Sequence, residues 1–332
     1  MSGISEITKQ NLNKIENVLN NKPMYFRGFV NYMNDSSIQT KYNYLNHVCA
    51  FMAFANKEPE DLVFDDFNNY MMKISYKEDG TQMTSSYRIN IYSSLKKFNE
   101  YLCSSGRLDK TTQFYMRDIK RPKPKESQET VLKREKGFLT EKEINKYLKE
   151  IDWAEYVQGE NDPWIARDKA IIYLLLTTGI RNTALRMLDL NDIDMHNKIM
   201  TVTDKGEKVR QYEMSDKLVC ALNHWIEIRN SKVMVSDEEK KCKALFVSCR
   251  RQRINISTLK NIVKKYAVDI TDKNITPHKL RATYGTQLYN KTGDIYFVQE
   301  CMGHSNPKTT ELYVREKKQN TKRASDIMNK ML

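Results

Sequence analysis

The sequence predicts a mainly helical protein of two domains, the second carrying one small antiparallel sheet. Three observations predict it. Apolar residues recur at spacings of three and four through most of the chain, the period of a helix with one buried face. Around residues 117–137 that rhythm stops in favour of a basic, proline-containing stretch. Two short β-prone runs flank Gly206 at 198–214, the pattern of a hairpin.

Residues 1–22 form a short N-terminal extension, helical through Ile4, Ile7, Ile15, Val18 and Leu19. Between Ser36 and Asn56 the face is Leu45, Val48, Met52 and Ala55, and between 84 and 104 it is Ile91, Leu95, Phe98 and Leu102. Thr84 is the N-cap candidate of that second helix, and Gly106 stands beyond its end as a stop. Opposite the apolar stripe lie Ser86, Asn90, Ser93 and Lys97, small or cationic groups able to meet phosphates, as a plain solvated face would also display. The stretch RDIKRPKPKESQETVLKREKG holds eight basic residues and two prolines without an apolar face, and reads as an extended linker. The expected division is therefore an extension (1–22), a helical domain (23–116), a linker (117–137) and a larger domain (138–332). Thr140 with Glu143 three residues later opens the larger domain with a capping box. Residues 165–178 are almost wholly apolar, as suits a central helix. A further stripe runs through Leu259, Ile262, Val263, Tyr266 and Ala267.

Composition narrows the function. The 332 residues carry 55 Lys plus Arg against 42 Asp plus Glu, a net charge of +13 that favours approach to a polyanion through counterion release. Six scattered cysteines without a CxxC pair argue against a zinc site or a disulfide framework, and point to a reducing cytoplasm. The longest apolar run, AIIYLLL at 170–176, is far shorter than the roughly 20 residues that span a bilayer. The N-terminal residues lack the basic and apolar regions of a signal peptide.

Four motifs of the second half belong together. TTGIR at 177–181 turns at a glycine and presents Arg181. The hairpin tip DKGEK projects Lys205. In TPHKLR, Pro277 suits a first helical turn, and His278 and Arg281, three apart, then share a face. MGHSNPKTTELY sets His304 nine residues before Tyr313. Each alone is weak, but their order and spacing over roughly 138–315 resemble the tyrosine recombinases of the phage-integrase family. The N-terminal half resembles that family's helical core-binding domain in outline.

The resemblance implies a mainly α fold in which a helical core-binding domain clamps DNA and an α+β catalytic domain performs the chemistry. It implies Tyr313 as nucleophile, Arg181 and Arg281 as grips on the scissile phosphate, and His278 and His304 as its proton-transfer and hydrogen-bonding partners. Lys205 is then the general acid for the leaving 5′-oxygen. Ser86, Arg88, Asn90, Lys97, Arg250, Arg251 and Arg253 are candidate DNA contacts. No metal or other cofactor is expected, because cations and hydrogen-bond donors carry the charge and the covalent ester retains the bond energy. The expected partners are double-stranded DNA, three further copies of the chain in a DNA-bound homotetramer (a monomer when free), and accessory DNA-bending or directionality factors. Integration or excision of a mobile element is the expected role.

Departures from the family pattern are confined. Ala184 stands where an acidic residue usually supports the first arginine, Met302 replaces the usual leucine, and Ala282 follows HKLR where many relatives have histidine. After Tyr313, the apolar Ile327, Met328, Met331 and Leu332 suggest a tail helix that docks on a neighbouring subunit or on its own domain. Three rival readings stand beside this one: a metal nuclease using Asp189, Asp192 and Asp194, a catalytically silent DNA-binding regulator, and a topoisomerase without site preference. Activity in EDTA, a covalent protein–DNA adduct, and relaxation of arbitrary plasmids separate them.

Overall fold

The computed structural model describes residues 3–123, 137–159, 162–203, 209–267, 270–271 and 273–303. The chain divides into two compact units, one up to residue 127 and the other from 128 onward. The mainly α fold with one small antiparallel sheet is as expected.

The first unit is built from α1 (Gly3–Leu19), α2 (Met24–Tyr32), α3 (Ile38–Ala55), α4 (Phe64–Lys73), α5 (Ser85–Ser104) and the single turn α6 (Tyr115–Asp118). The polar residues set the helix ends. Ser37 caps α3 by accepting the Thr40 amide at 3.2 Å, and Thr84 caps α5 by accepting that of Tyr87 at 3.3 Å. Leu45, Val48 and Phe51 of α3 meet Leu95, Phe98 and Leu102 of α5, all fully buried. Aromatic pairs tighten this core: Phe51 stacks on Phe67 at 4.7 Å, and Phe29 meets Phe98 edge-on at 5.2 Å. Each such side chain contributes about 1.5–3 kcal/mol by leaving water. The stretch expected to be linker from residue 117 starts as ordered structure. Arg117 and Asp118 complete α6, and Ile119 is buried in the first core. A single apolar residue among charges carries no period, so the sequence pattern missed it.

The second unit contains α7 (Glu141–Gln158), α8 (Pro163–Thr178), α9 (Asn182–Met187), β1 (Ile193–Asp194), β2 (Ile199–Thr203), β3 (Val209–Glu213), α10 (Asp216–Ile228), α11 (Asp237–Lys240), α12 (Ile256–Lys265), α13 (Pro277–Thr292) and α14 (Ile295–Met302). The Thr140–Glu143 capping box opens α7. Helix α8 is the axle: Ala170, Ile171, Ile172, Leu174 and Leu175 are all without solvent exposure, and α7, α10, α12 and α13 pack against it. The same helix buries an ion pair that an apolar reading overlooked. Arg167 donates to Asp168 at 2.7 Å and to the Val247 carbonyl at 3.1 Å, while the Tyr266 hydroxyl donates to Asp168 at 3.1 Å.

The sheet runs β1-β2-β3, antiparallel throughout, with Ile193 opposite Met200 and Thr203 opposite Val209. Met200 and Val202 alternate inward and join the core, which fixes the register, because a slip by one residue would expose them. The hairpin tip with Gly206 lies outside the described residues. No helix among the described residues is long and apolar enough to cross a membrane.

Candidate active site

The end of α8 builds the first part of the site. Gly179 adopts φ +59°, and an added Cβ would stand 2.3 Å from the Tyr284 ring, so neither the conformation nor the space admits a side chain. The chain turns there, Ile180 plugs into the core, and Arg181 follows in extended backbone as the residue before α9. Arg181 Nη2 donates to the Gly303 carbonyl at 2.9 Å.

Helix α13 supplies the second part. Thr276 caps it through the Lys279 amide at 3.3 Å and Pro277 occupies its first turn, which sets His278 and Arg281 one turn apart. Arg281 is 4% exposed. Its guanidinium forks onto two carbonyls, Gly179 through Nη1 and Met302 through Nη2. Desolvation first, and the Arg281 charge second, hold His278 below the ordinary imidazole range, although the residue stays exposed. Its neutral form is therefore favoured at pH 7.

Helix α14 supplies the third part. Asp294 caps its start, and it ends at Gly303, which takes φ +65°. The carbonyls of Met302 and Gly303 receive Arg281 and Arg181 respectively, so the two guanidiniums converge on consecutive residues. Three of the six expected catalytic residues are thus brought together: Arg181, His278 and Arg281. Lys205, His304 and Tyr313 lie outside the described residues, as does the expected tail helix. Gly303 immediately precedes His304 in the chain. Ala184, in place of an acid, is buried in the apolar core of this unit.

The candidate DNA contacts fare unequally. Ser86 and Asn90 are exposed on α5. Arg88 is half-buried, and its Nε atom is buried without a hydrogen-bond partner among the described residues. Lys97 pairs with Glu100 at 3.3 Å and lies 5.0 Å from the Tyr32 ring centre. Arg250 is exposed, and Arg251 pairs with Glu239 at 2.9 Å. Arg253 must be withdrawn from the set. Its side chain is 5% exposed, donates to the carbonyls of Arg186 and Leu188, and pairs with Asp189. An internal carboxylate and two carbonyls hold the two terminal nitrogens of the guanidinium that was expected to face phosphate.

The carboxylates of the metal-nuclease reading are likewise committed. Asp189 holds Arg253, Asp192 accepts the Asp189 amide at 2.8 Å, and Asp194 accepts the Asn197 amide at 2.9 Å. Among the described residues no group of three or more His, Cys, Asp or Glu side chains is arranged to hold a metal ion.

Sequence reading missed two features. In the first unit a groove of about 400 Å³ is lined by Ser36, Thr40, Lys96, Lys97 and Arg121, with Glu100 beside them. The alternation of Lys96 and Lys97 with the buried Leu95 and Phe98 was the available signal. In the second unit Arg210, on β3, packs against Gly303 and donates to the Glu300 carbonyl at 3.0 Å. Its position after a charged hairpin tip gave no hint of that contact.

In this mainly helical unit with a three-stranded sheet, an arginine from the turn after α8 and another from α13 converge on the end of α14, with a histidine one turn before the second. The chain belongs to the phage integrase family, whose sequence profile matches residues 137–320. It is similar to the tyrosine recombinase XerC of Thermodesulfovibrio yellowstonii, with 30% identity over 307 residues covering 89% of this chain and 92% of that protein. It is also similar to XerC of Alcanivorax borkumensis, with 34% identity over 156 residues, 47% of this chain and 50% of the relative. This second alignment, like those with the XerC proteins of two Corynebacterium species, spans only about half the relative's length. Two solved structures share the fold. XerH site-specific recombinase bound to palindromic difH substrate matches at TM-score 0.64, with 20% identity, 88% of this chain and 80% of that one covered. The Tn1549 transposon integrase in complex with transposon right end DNA matches at TM-score 0.62, with 20% identity, 90% of this chain and 96% of that one covered.

Proposed function

We propose that this chain is a site-specific DNA recombinase that cuts and rejoins duplex DNA through a covalent bond to Tyr313. The observation that carries the reading is the convergence of Arg181 and Arg281 on the Gly179 turn and the Met302–Gly303 end of α14, with His278 beside them. Family membership over residues 137–320 supports it.

The chemistry follows from the side chains. A phenol with a pKa near 10 is almost wholly protonated at pH 7, so Tyr313 requires activation in place. Two guanidiniums neutralise the non-bridging oxygens and stabilise the charge that builds as the phosphorus becomes five-coordinate. His278, held neutral, takes part in moving the phenolic proton, and His304 donates a hydrogen bond to the phosphate. The Tyr313 oxygen forms a bond to phosphorus while the bond from phosphorus to the 5′-oxygen breaks. Lys205 supplies the proton to that 5′-oxygen. The product is a 3′-phosphotyrosyl ester and a free 5′-hydroxyl. Attack by a 5′-hydroxyl of a second duplex reverses the step and exchanges strands, with no ATP and no divalent metal consumed.

We assign DNA clamping to the first unit and strand cleavage to the second. Exchange between two duplexes needs four cleavages, so the working form is a homotetramer on DNA, inside the cytoplasm where that DNA lies. The Tn1549 likeness supports integration and excision of a mobile element as the biological role.

The test is a denaturing gel after incubation with nicked duplexes carrying a library of candidate sites. A covalent adduct that persists in EDTA and vanishes in Tyr313→Phe supports the proposal. Binding without an adduct at any site refutes it in favour of a silent regulator, and an adduct that needs Mg²⁺ refutes the metal-free scheme.

A further inference from the structure

The two phosphate-gripping arginines are aimed by backbone carbonyls, and those carbonyls need a fixed frame. They belong to the end of α14, where the last carbonyls of a helix have no partner within it. The negative end of the helix dipole also favours cations there. Three guanidiniums meet this end. Arg281 takes the Met302 carbonyl, Arg181 takes that of Gly303, and Arg210 takes that of Glu300 at 3.0 Å. The Glu300 carbonyl also accepts the Gly303 amide at 3.1 Å, so Arg210 binds the very group that closes the turn. Gly303 is in the left-handed region at φ +65°, and a Cβ there would stand 2.3 Å from the Arg210 guanidinium. Close approach, a closing hydrogen bond and the turn conformation therefore coincide at one residue.

We propose that Arg210 is a positioning residue for strand cleavage: it locks the Glu300–Gly303 turn so that its carbonyls aim Arg181 and Arg281 at the scissile phosphate. A guanidinium has five donors, so it can hold a carbonyl with one edge and turn another edge to a phosphate oxygen. Arg210 stands on β3, which leads back to the tip that carries Lys205, and the locked turn leads straight into His304. One side chain thereby ties the hairpin to the base of the nucleophile segment. The inference rests on the recombinase reading of the site.

The experiment measures single-turnover cleavage of a nicked DNA site, and binding to the same DNA separately, for full-length wild type, Arg210→Ala, Arg210→Lys, Arg181→Lys and the Arg181→Lys/Arg210→Ala double variant. Loss of a positioning contact should slow cleavage by Arg210→Ala about 10- to 100-fold. The dissociation constant should move by less than about threefold, since only a distinct contact with DNA would change it strongly. Arg210→Lys should recover part of the rate. Arg210→Ala should slow Arg181→Lys by a smaller factor than it slows wild type, because Arg210 acts in part through that arginine and in part through Arg281. Losses that multiply, an affinity that falls in step with the rate, or a wild-type rate in Arg210→Ala would each overturn the proposal. Absence of any adduct with the wild-type protein would instead sink the recombinase reading and this inference with it. Should Arg210→Ala fail to fold, the same cycle built with Arg210→Lys makes the comparison.

Discussion

Replacing Arg281 by lysine separates what the guanidinium does for the fold from what it does for chemistry. The residue is 4% exposed and its fork joins the Gly179 carbonyl, after α8, to the Met302 carbonyl, at the end of α14. Lysine keeps the charge but offers one ammonium where two carbonyls wait on different elements. One charge-assisted bond is lost and one buried carbonyl is left without its donor, which costs about 1.5–3 kcal/mol. For a unit of roughly 200 residues each kcal/mol lowers the midpoint by about 2–4 °C, so the expected fall is about 3–12 °C. Thermal unfolding followed by circular dichroism measures it. Cleavage should fall much further, by about 100- to 1000-fold, as for loss of a donor aimed at transition-state charge. An unchanged midpoint would refute the argument that the fork ties α13 to both turns. A lowered midpoint with normal cleavage would remove Arg281 from the phosphate.

Further expectations follow from the same geometry. Gly179→Ala should destabilise by more than Gly106→Ala: both carry the cost of about 1–2 kcal/mol for a left-handed residue, but only Gly179 also faces a ring at 2.3 Å, while nothing lies near Gly106. Equal losses in urea unfolding would contradict the close packing of Tyr284. His278 in the DNA-free protein should titrate below 6.5 by NMR. Because its folded pKa is depressed, the unfolded chain binds the proton first; the stability from this group is complete above pH 6.5 and is lost as pH falls through the folded value. A midpoint at or above 6.5 would show that neither desolvation nor Arg281 acts on the ring. Arg253→Ala should cost about 1–3 kcal/mol by leaving partly buried Asp189 and two carbonyls without their donor, and leave the salt dependence of DNA binding as it was. Arg250→Ala should do the reverse, lowering the salt slope by about one with little change in stability. Swapped outcomes would restore Arg253 as a phosphate contact.

The legible parts of this protein are those set by local chemistry. Thr84 and Thr140 start helices because a hydroxyl can take an orphan amide, wherever the rest of the chain goes. Apolar period placed Leu45, Leu95 and Ile171 in cores, and the order of TTGIR, TPHKLR and MGHS pointed to a shared anion site. Long-range pairing is another matter. Whether an arginine faces water or a carboxylate depends on which distant element packs beside it, and nothing around Arg253 in the chain shows that Asp189 and the Leu188 carbonyl wait inside. Arg210 was invisible for the same reason, since its partners are some ninety residues away on α14. Helix starts and apolar faces are written residue by residue, whereas the partner of a charge is chosen by the fold that closes around it.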